Sequence, residues 1–217
     1  MHLKWNTVSQ SLKEILIELM NEPLFNPFLL VGGTALSLQI GHRKSIDIDL
    51  FTDNEYGSID FEMIDRFLKS KYPYFDKNSG NIIGQGCSYF IGKNEKDSIK
   101  LDLYYTDNFV YKSHIVEHQI RICDINEIIA MKIDVLYRGG RMKDFWDLHY
   151  FLDLYSLKEF EAIYNKRYFY VDCENLRNKW IDFKDADDDF VPNCLLGKKW
   201  DVIKYDFIEK LKKSANV

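Results

Sequence analysis

One stretch constrains this chain more than any other: FLLVGGTALSLQIGHRKSIDIDLFT, residues 28–52. The apolar run 28–31 has strand character, and Gly32 and Gly33 stop it with a turn at which the backbone can approach a ligand closely. Residues 34–39 suit a helix that starts at once, with its unpaired N–H groups and positive dipole end offered to an anion such as a triphosphate. After the basic turn His42, Arg43 and Lys44, residues 45–51 alternate with period two. Asp47 and Asp49 then share one face of a strand, while Ile46, Ile48 and Leu50 share the other and go to the core. Two carboxylates on one face repel each other unless a divalent cation neutralises them. Mg²⁺ suits them, because it takes oxygen ligands at about 2.1 Å and binds through one or two carboxylates plus substrate phosphates. The competing reading is a half-exposed strand with an acidic polar face, which the glycine turn and the basic loop argue against.

At 217 residues the chain is long enough for one large domain, or for a compact unit with a smaller appendage. A formal net charge of −5 argues against a generally basic nucleic-acid coat, but leaves room for a local basic patch. Cys87, Cys123, Cys173 and Cys194 are widely spaced with no C-x-x-C pair, which points to reduced, buried thiols rather than a zinc site or a disulfide framework. The N-terminal residues lack the apolar core of a signal peptide and no apolar run is long enough to span a bilayer, so the expectation is a cytoplasmic protein without membrane contact.

Val8, Leu12, Ile15, Leu16 and Leu19 recur at helical spacing, with Thr7 and Gln10 placed as a capping box. Pro23 and Pro27 end that pattern before the first strand. Residues 53–58 read as a loop, and Phe61, Ile64, Phe67 and Leu68 as the buried stripe of a second helix. Between 72 and 105 the pattern turns to strands, with a glycine-rich stretch at 81–89 and renewed alternation at 98–105 that sets Asp102 opposite Leu101 and Leu103.

From Asp124 the chain becomes helical. Asp124 and Glu127 are placed as a cap, and Ile125, Ile128, Ile129, Val135 and Leu136 form a buried stripe. Lys132 falls between Ile128 and Leu136, on or beside that stripe, where an ammonium is costly unless an anion meets it; the spacing asks for a phosphate. The turn Arg138, Gly139, Gly140, Arg141 and the next helix, with Lys143, Asp144 and Asp147, follow. Beyond residue 156 the chain is helical and aromatic, with Tyr164, Tyr168, Phe169, Tyr170 and Trp180 available for packing, an acidic loop at 182–189, and a terminal helix over 202–213.

The glycine turn Gly32-Gly33-Thr34, with Asp47-Ile48-Asp49 beginning thirteen residues after Thr34, resembles the glycine motif and D-x-D of the polymerase-β-like nucleotidyltransferase superfamily. The fuller string GGTALSLQIGHRKSIDIDLF is closer still to the AbiEii/AbiGii toxin family within it, and KIDVLYRGGRMKDFWDL resembles a later motif of that family. The resemblance implies a small mixed sheet flanked by helices, Mg²⁺-dependent transfer of a nucleoside monophosphate from an NTP, and often a toxin encoded beside an antitoxin. It also implies a third carboxylate on a strand beside the D-x-D strand, for which Asp102 is the best match. A helix lysine and an aspartate on the next helix, both needed for activity, match Lys132 and Asp147.

The expectation is therefore an α+β nucleotidyltransferase domain over 1–123 and a helical C-terminal region over 124–217 that completes the active-site cleft. Asp47, Asp49, Asp102, Lys132 and Asp147 are the candidate catalytic residues, with the first three holding one or two Mg²⁺ ions. Gly32, Gly33, Thr34, Arg43, Ser45, Lys132, Arg138 and Lys143 are the candidate nucleotide-binding residues. The acceptor hypothesised is tRNA, facing a basic surface of Arg43, Lys132, Arg138, Arg141 and Lys143. Two alternatives stand beside this reading: an antibiotic-modifying nucleotidyltransferase with the same donor site, and a catalytically silent relative that acts as a binding module.

Overall fold

The computed structural model describes residues 2–78, 85–171 and 176–215; Cys173 and residues 81–84 of the glycine-rich stretch expected at 81–89 lie outside them. The chain forms two compact units, one of residues 1–40 and 45–124, the other of residues 41–44 and 125–217.

The first unit is built on a seven-stranded mixed sheet. Its strands are β1 (Leu29–Leu30), β2 (Asp47–Thr52), β3 (Tyr74–Asn78), β4 (Gly86–Asn94), β5 (Asp97–Tyr105), β6 (His114–Ile115) and β7 (Arg121–Ile122), in the order β3-β4-β5-β2-β1-β7-β6. The D-x-D strand β2 is central, antiparallel to β1 and parallel to β5. Its alternation is as expected from Ile48 onward, since Ile48, Leu50 and Thr52 are buried while Asp47, Asp49 and Phe51 are half-buried. Ile46 departs from that expectation: it precedes the strand and is 73% exposed, whereas its neighbour Ser45 is buried.

Among the described residues three α-helices complete this unit: α1 (Gln10–Asn21), α2 (Gly32–Ile40) and α3 (Phe61–Lys71). Helix α1 buries Leu12, Ile15, Leu16, Leu19 and Met20 and packs on β2 and β5. Its cap is Ser9, whose hydroxyl accepts from the Leu12 amide; Thr7 closes a short 3₁₀ turn instead, so the expected Thr7–Gln10 box does not form. Helix α3 starts at the Asp60 cap and buries Ile64 and Leu68. The Arg121 guanidinium fixes the approach to β1 by donating to the carbonyls of Met20 at 2.8 Å, Phe25 at 2.9 Å and Phe28 at 3.2 Å.

The second unit is helical: α4 (Ile125–Tyr137), α5 (Met142–His149), α6 (Leu157–Arg167), α7 (Leu176–Lys179), α8 (Lys184–Asp187) and α9 (Trp200–Ala215). Glu127, expected to help cap α4, is fully buried and forms an ion pair with Arg167 of α6. Phe145, Phe183, Trp200 and Phe207 pack edge to face around α5 and α9. Tyr164, Tyr168 and Trp180 are buried as expected of packing aromatics, while Phe169 and Tyr170 are 82% and 59% exposed. The acidic stretch 182–189 is partly helical, and its Asp187 is tied to Lys204 and the Trp200 indole rather than left to solvent. Of the described cysteines Cys123 is buried, whereas Cys87 and Cys194 are half-buried free thiols, which departs from the expectation of buried ones. Among the described residues no helix is long and apolar enough to cross a membrane.

Candidate active site

In the first unit the site is built at the start of α2 and along β2 and β5. Gly32 opens α2 with φ +68°, and a Cβ there would come within 2.3 Å of Asp49 Oδ2. Glycine is thus required twice, for its left-handed backbone and for the closeness of the Asp49 carboxylate. Gly33 follows, half-buried, in the first turn of the helix. The Thr34 side chain is fully buried; its hydroxyl contacts Ser45 Oγ at 2.8 Å and bonds to the Asp47 carbonyl. Thr34 and Ser45 therefore hold the entry of β2 against α2 and do not point outward to a phosphate.

The parallel pairing of β2 with β5 sets Asp49 beside Asp102 and Asp47 beside Lys100. All four side chains lie on the half-buried face of the two strands. The Lys100 ammonium makes an ion pair with Asp102 Oδ2. Burial works against its charge, but the hydrogen bond and charge of Asp102, helped by Asp49 and Asp47, raise its pKa above the ordinary lysine value. The other oxygen, Asp102 Oδ1, is buried with no hydrogen-bond partner.

These donors fit a hard divalent cation: they are all carboxylate oxygens, and one of them is a buried acceptor without a donor. Among the described residues no three acidic, histidine or cysteine side chains are already gathered into a metal-holding cluster. Lys100 supplies the positive charge beside Asp102 instead.

In the second unit the other predicted residues meet in a buried charge cluster. Arg43 and Lys132 are only 5% and 7% exposed, and Asp147 is fully buried. Arg43 grips Asp147 with both arms, Nε to Oδ1 at 2.6 Å and Nη2 to Oδ2 at 2.9 Å. Lys132 Nζ lies 2.6 Å from Asp144 Oδ1 and 2.7 Å from Asp147 Oδ2. The anions that make a buried lysine tolerable here are thus two aspartates of α5, not a phosphate. Burial pushes the Asp147 carboxyl up, but Lys132 and Arg43 outweigh it and hold it well below the usual carboxylate range. Burial likewise works to lower the Lys132 ammonium, and Asp144 and Asp147 together raise it.

His42 completes the cluster, with Nε2 2.6 Å from Asp147 Oδ1. Burial lowers its pKa, and the charges of Arg43 and Lys132 lower it further against the opposing pull of Asp147. The neutral ring therefore donates from Nε2, and its Nδ1 is buried without a partner. Segment 41–44 is fixed further by backbone bonds from Lys44 to Asn193 at 2.8 Å and from Leu195 to His42 at 2.9 Å.

Arg43 and Lys132 are accordingly not part of an RNA-facing surface. Arg138 is exposed and pairs with Asp134 at 2.9 Å, Arg141 is exposed with its Nε 3.7 Å from Asp144, and Lys143 is half-buried. Three residues escaped the sequence reading of the site. Lys100 could have been found from its place two residues before Asp102, on the same strand face. Asp144, one helical turn before Asp147, carried a similar signal. The role of His42 carried none, because it depends on a contact across 105 positions.

Comparison with known proteins bears on this arrangement. The family model described as "Nucleotidyl transferase AbiEii toxin, Type IV TA system" matches residues 14–193. An uncharacterised protein of Aquifex aeolicus is 26% identical over 212 residues, covering 92% of this chain and 94% of the relative. In fold, the chain is similar to a putative nucleotidyltransferase from H. pylori, with TM-score 0.57, 19% identity and 94% of each chain covered. It is also similar to MenT4, a nucleotidyltransferase toxin from Mycobacterium tuberculosis, with TM-score 0.59, 14% identity, and 93% of this chain and 82% of that one covered. Both likenesses establish the fold, an α+β nucleotidyltransferase architecture with a helical C-terminal region. Since the family match spans both the D-x-D strand and the helices bearing Lys132 and Asp147, this chain belongs to the AbiEii family of nucleotidyltransferase toxins and is a nucleotidyltransferase.

Proposed function

We propose that the protein moves a nucleoside monophosphate from an NTP to an acceptor hydroxyl, in the cytoplasm, with tRNA as the acceptor and a cognate antitoxin as its counterpart. Family membership implies the NTP and the antitoxin; the acceptor is our hypothesis. The observation that carries the reaction is the register of β2 and β5, which sets Asp49 beside Asp102 with Gly32 against the Asp49 carboxylate.

Asp47, Asp49 and Asp102 are the residues that would hold Mg²⁺, as one or two ions. When bound, the metal supplies charge neutralisation and alignment of the reacting phosphate. The amide groups of Gly32 and Gly33, in the first turn of α2, would seat the triphosphate. The acceptor oxygen forms a bond to the α-phosphorus as the bond from that phosphorus to the bridging oxygen breaks and pyrophosphate leaves. The proton of the attacking hydroxyl passes to a carboxylate of the same face, for which Asp102, beside Asp49, is the candidate. Lys132 and Asp147 serve activity as positioning residues, since their charges are engaged with Arg43, His42 and Asp144. Arg138 and Lys143 remain candidates for phosphate contact.

The test is to incubate the protein with Mg²⁺, each labelled NTP in turn, and total tRNA, cell protein or aminoglycosides as acceptor. Asp47→Asn and Asp49→Asn should abolish label transfer while keeping the wild-type circular dichroism spectrum. Wild-type turnover in both variants would remove the metal assignment. Transfer to another acceptor but never to tRNA would remove tRNA and leave the reaction standing.

A further inference from the structure

We propose that Lys100 is a tethered counter-cation of the carboxylate group, so that a divalent cation loads in competition with its ammonium on Asp102. The inference rests on the metal reading above and adds to it a residue that sets how tightly the ion is held.

Period-two alternation puts Lys100 and Asp102 on one face of β5, and the parallel register places that face beside Asp47 and Asp49. The ammonium is in ion-pair contact with Asp102 Oδ2, and side-chain exposure is 34% for Lys100 and 15% for Asp102. Three carboxylates with one ammonium leave two negative charges, the amount one divalent cation neutralises. The ammonium and a metal ion compete for the same carboxylate, and two cations this close repel. Lysine suits such a role: its charge is compact, its four-carbon stem is flexible, and its partial exposure gives the released ammonium a path to water. A guanidinium in its place would keep the competition. A neutral side chain of similar length would end it.

Two consequences follow. Without metal, Lys100 holds Asp102 in place and limits repulsion among the carboxylates. With metal, part of the binding free energy goes into breaking the ion pair, so the site loads at a higher free cation concentration than the carboxylates alone would need.

The experiment measures Mn²⁺ binding to the full chain without nucleotide, by the electron paramagnetic resonance signal of free Mn²⁺, together with melting temperature in EDTA. Lys100→Met should bind Mn²⁺ about tenfold more tightly than wild type, the effect of removing one nearby charge worth roughly one pKa unit of interaction. It should also melt lower in EDTA and gain more from added Mn²⁺. Lys100→Arg should behave as wild type in both measurements, and Lys100→Gln, which also removes the charge, takes the place of Lys100→Met should that variant fail to fold. Asp49→Asn separates the two readings. If it binds Mn²⁺ as wild type does, the metal reading itself is wrong. If it loses Mn²⁺ while Lys100→Met binds equally or more weakly, the metal reading stands and Lys100 is a structural support for Asp102.

Discussion

Lys132 shows how a side chain singled out by its place on a helix can be given the wrong partner. A lysine on an apolar stripe suggests that its removal would relieve a desolvation cost, yet Lys132 bridges Asp144 and Asp147 in a closed cluster. Removing one partner leaves buried charge uncompensated, so Lys132→Ala or Asp147→Ala should lower stability by about 3–5 kcal/mol in urea denaturation. A loss below about 1 kcal/mol would mean that water enters and solvates the remainder. His42 adds a pH dependence of known sign. Its folded pKa lies below the ordinary 6.5, so its contribution is complete above 6.5 and declines as pH falls below that value, where the unfolded chain takes up a proton that the folded one refuses. Asp147, also lowered, adds a second loss as pH drops below its ordinary 3.8. His42→Gln, which keeps a donor for Asp147, should flatten the first decline, whose slope is at most about 1.4 kcal/mol per pH unit. A wild-type slope in that variant would assign the decline to other groups. At Gly32, alanine meets both a left-handed backbone and the Asp49 carboxylate, so Gly32→Ala should cost about 1 kcal/mol or more in stability and most of the turnover. Retained activity would show that Asp49 can move without penalty.

At the scale of elements, the short strand β1 is held from one end by a side chain far away in sequence. Arg121 donates to three carbonyls from the last turn of α1 to the residue before β1, tying together the bend that leads into the strand. Arg121→Met should therefore destabilise the protein by about 1.5–3 kcal/mol and raise hydrogen exchange in residues 28–31, ahead of the helices of the second unit. Uniform exchange across both units would count against a local role. In the second unit, the buried Glu127–Arg167 pair joins α4 to α6, and Asp144 both accepts the Arg141 amide that starts α5 and receives Lys132. Amphipathic stripes announced where these helices run. The charged pairs between them could not be read, because helical period places a residue on a face without naming what that face meets.

For the molecule as a whole, the consequence of family membership is physiological. If the proposed transfer spends triphosphate on an acceptor the cell needs, overexpression in a bacterial host should arrest growth, with relief from a cognate antitoxin. Growth arrest that persists unchanged in Asp49→Asn would show that toxicity does not come from the transfer chemistry. If tRNA is the acceptor, its binding should weaken steeply with salt, as counterions released from the RNA backbone are returned. The overall charge of −5 makes this a demanding test, since only a local basic surface could produce it.

What the sequence determined by itself is the chemistry that is local along the chain. A glycine pair opening a helix and aspartates two apart on a strand are fixed by backbone sterics and the two-residue pleat, and so was the half-buried face of β2. Tertiary structure decided the rest. Only strand pairing brings Asp102 beside Asp49 and Lys100 beside Asp47, because register is a relation between segments about fifty residues apart and no period along either segment encodes it. Only packing turned Arg43 and Lys132 inward: a buried charge must find an opposite charge, and which one it finds depends on how the chain returns, not on its neighbours in sequence.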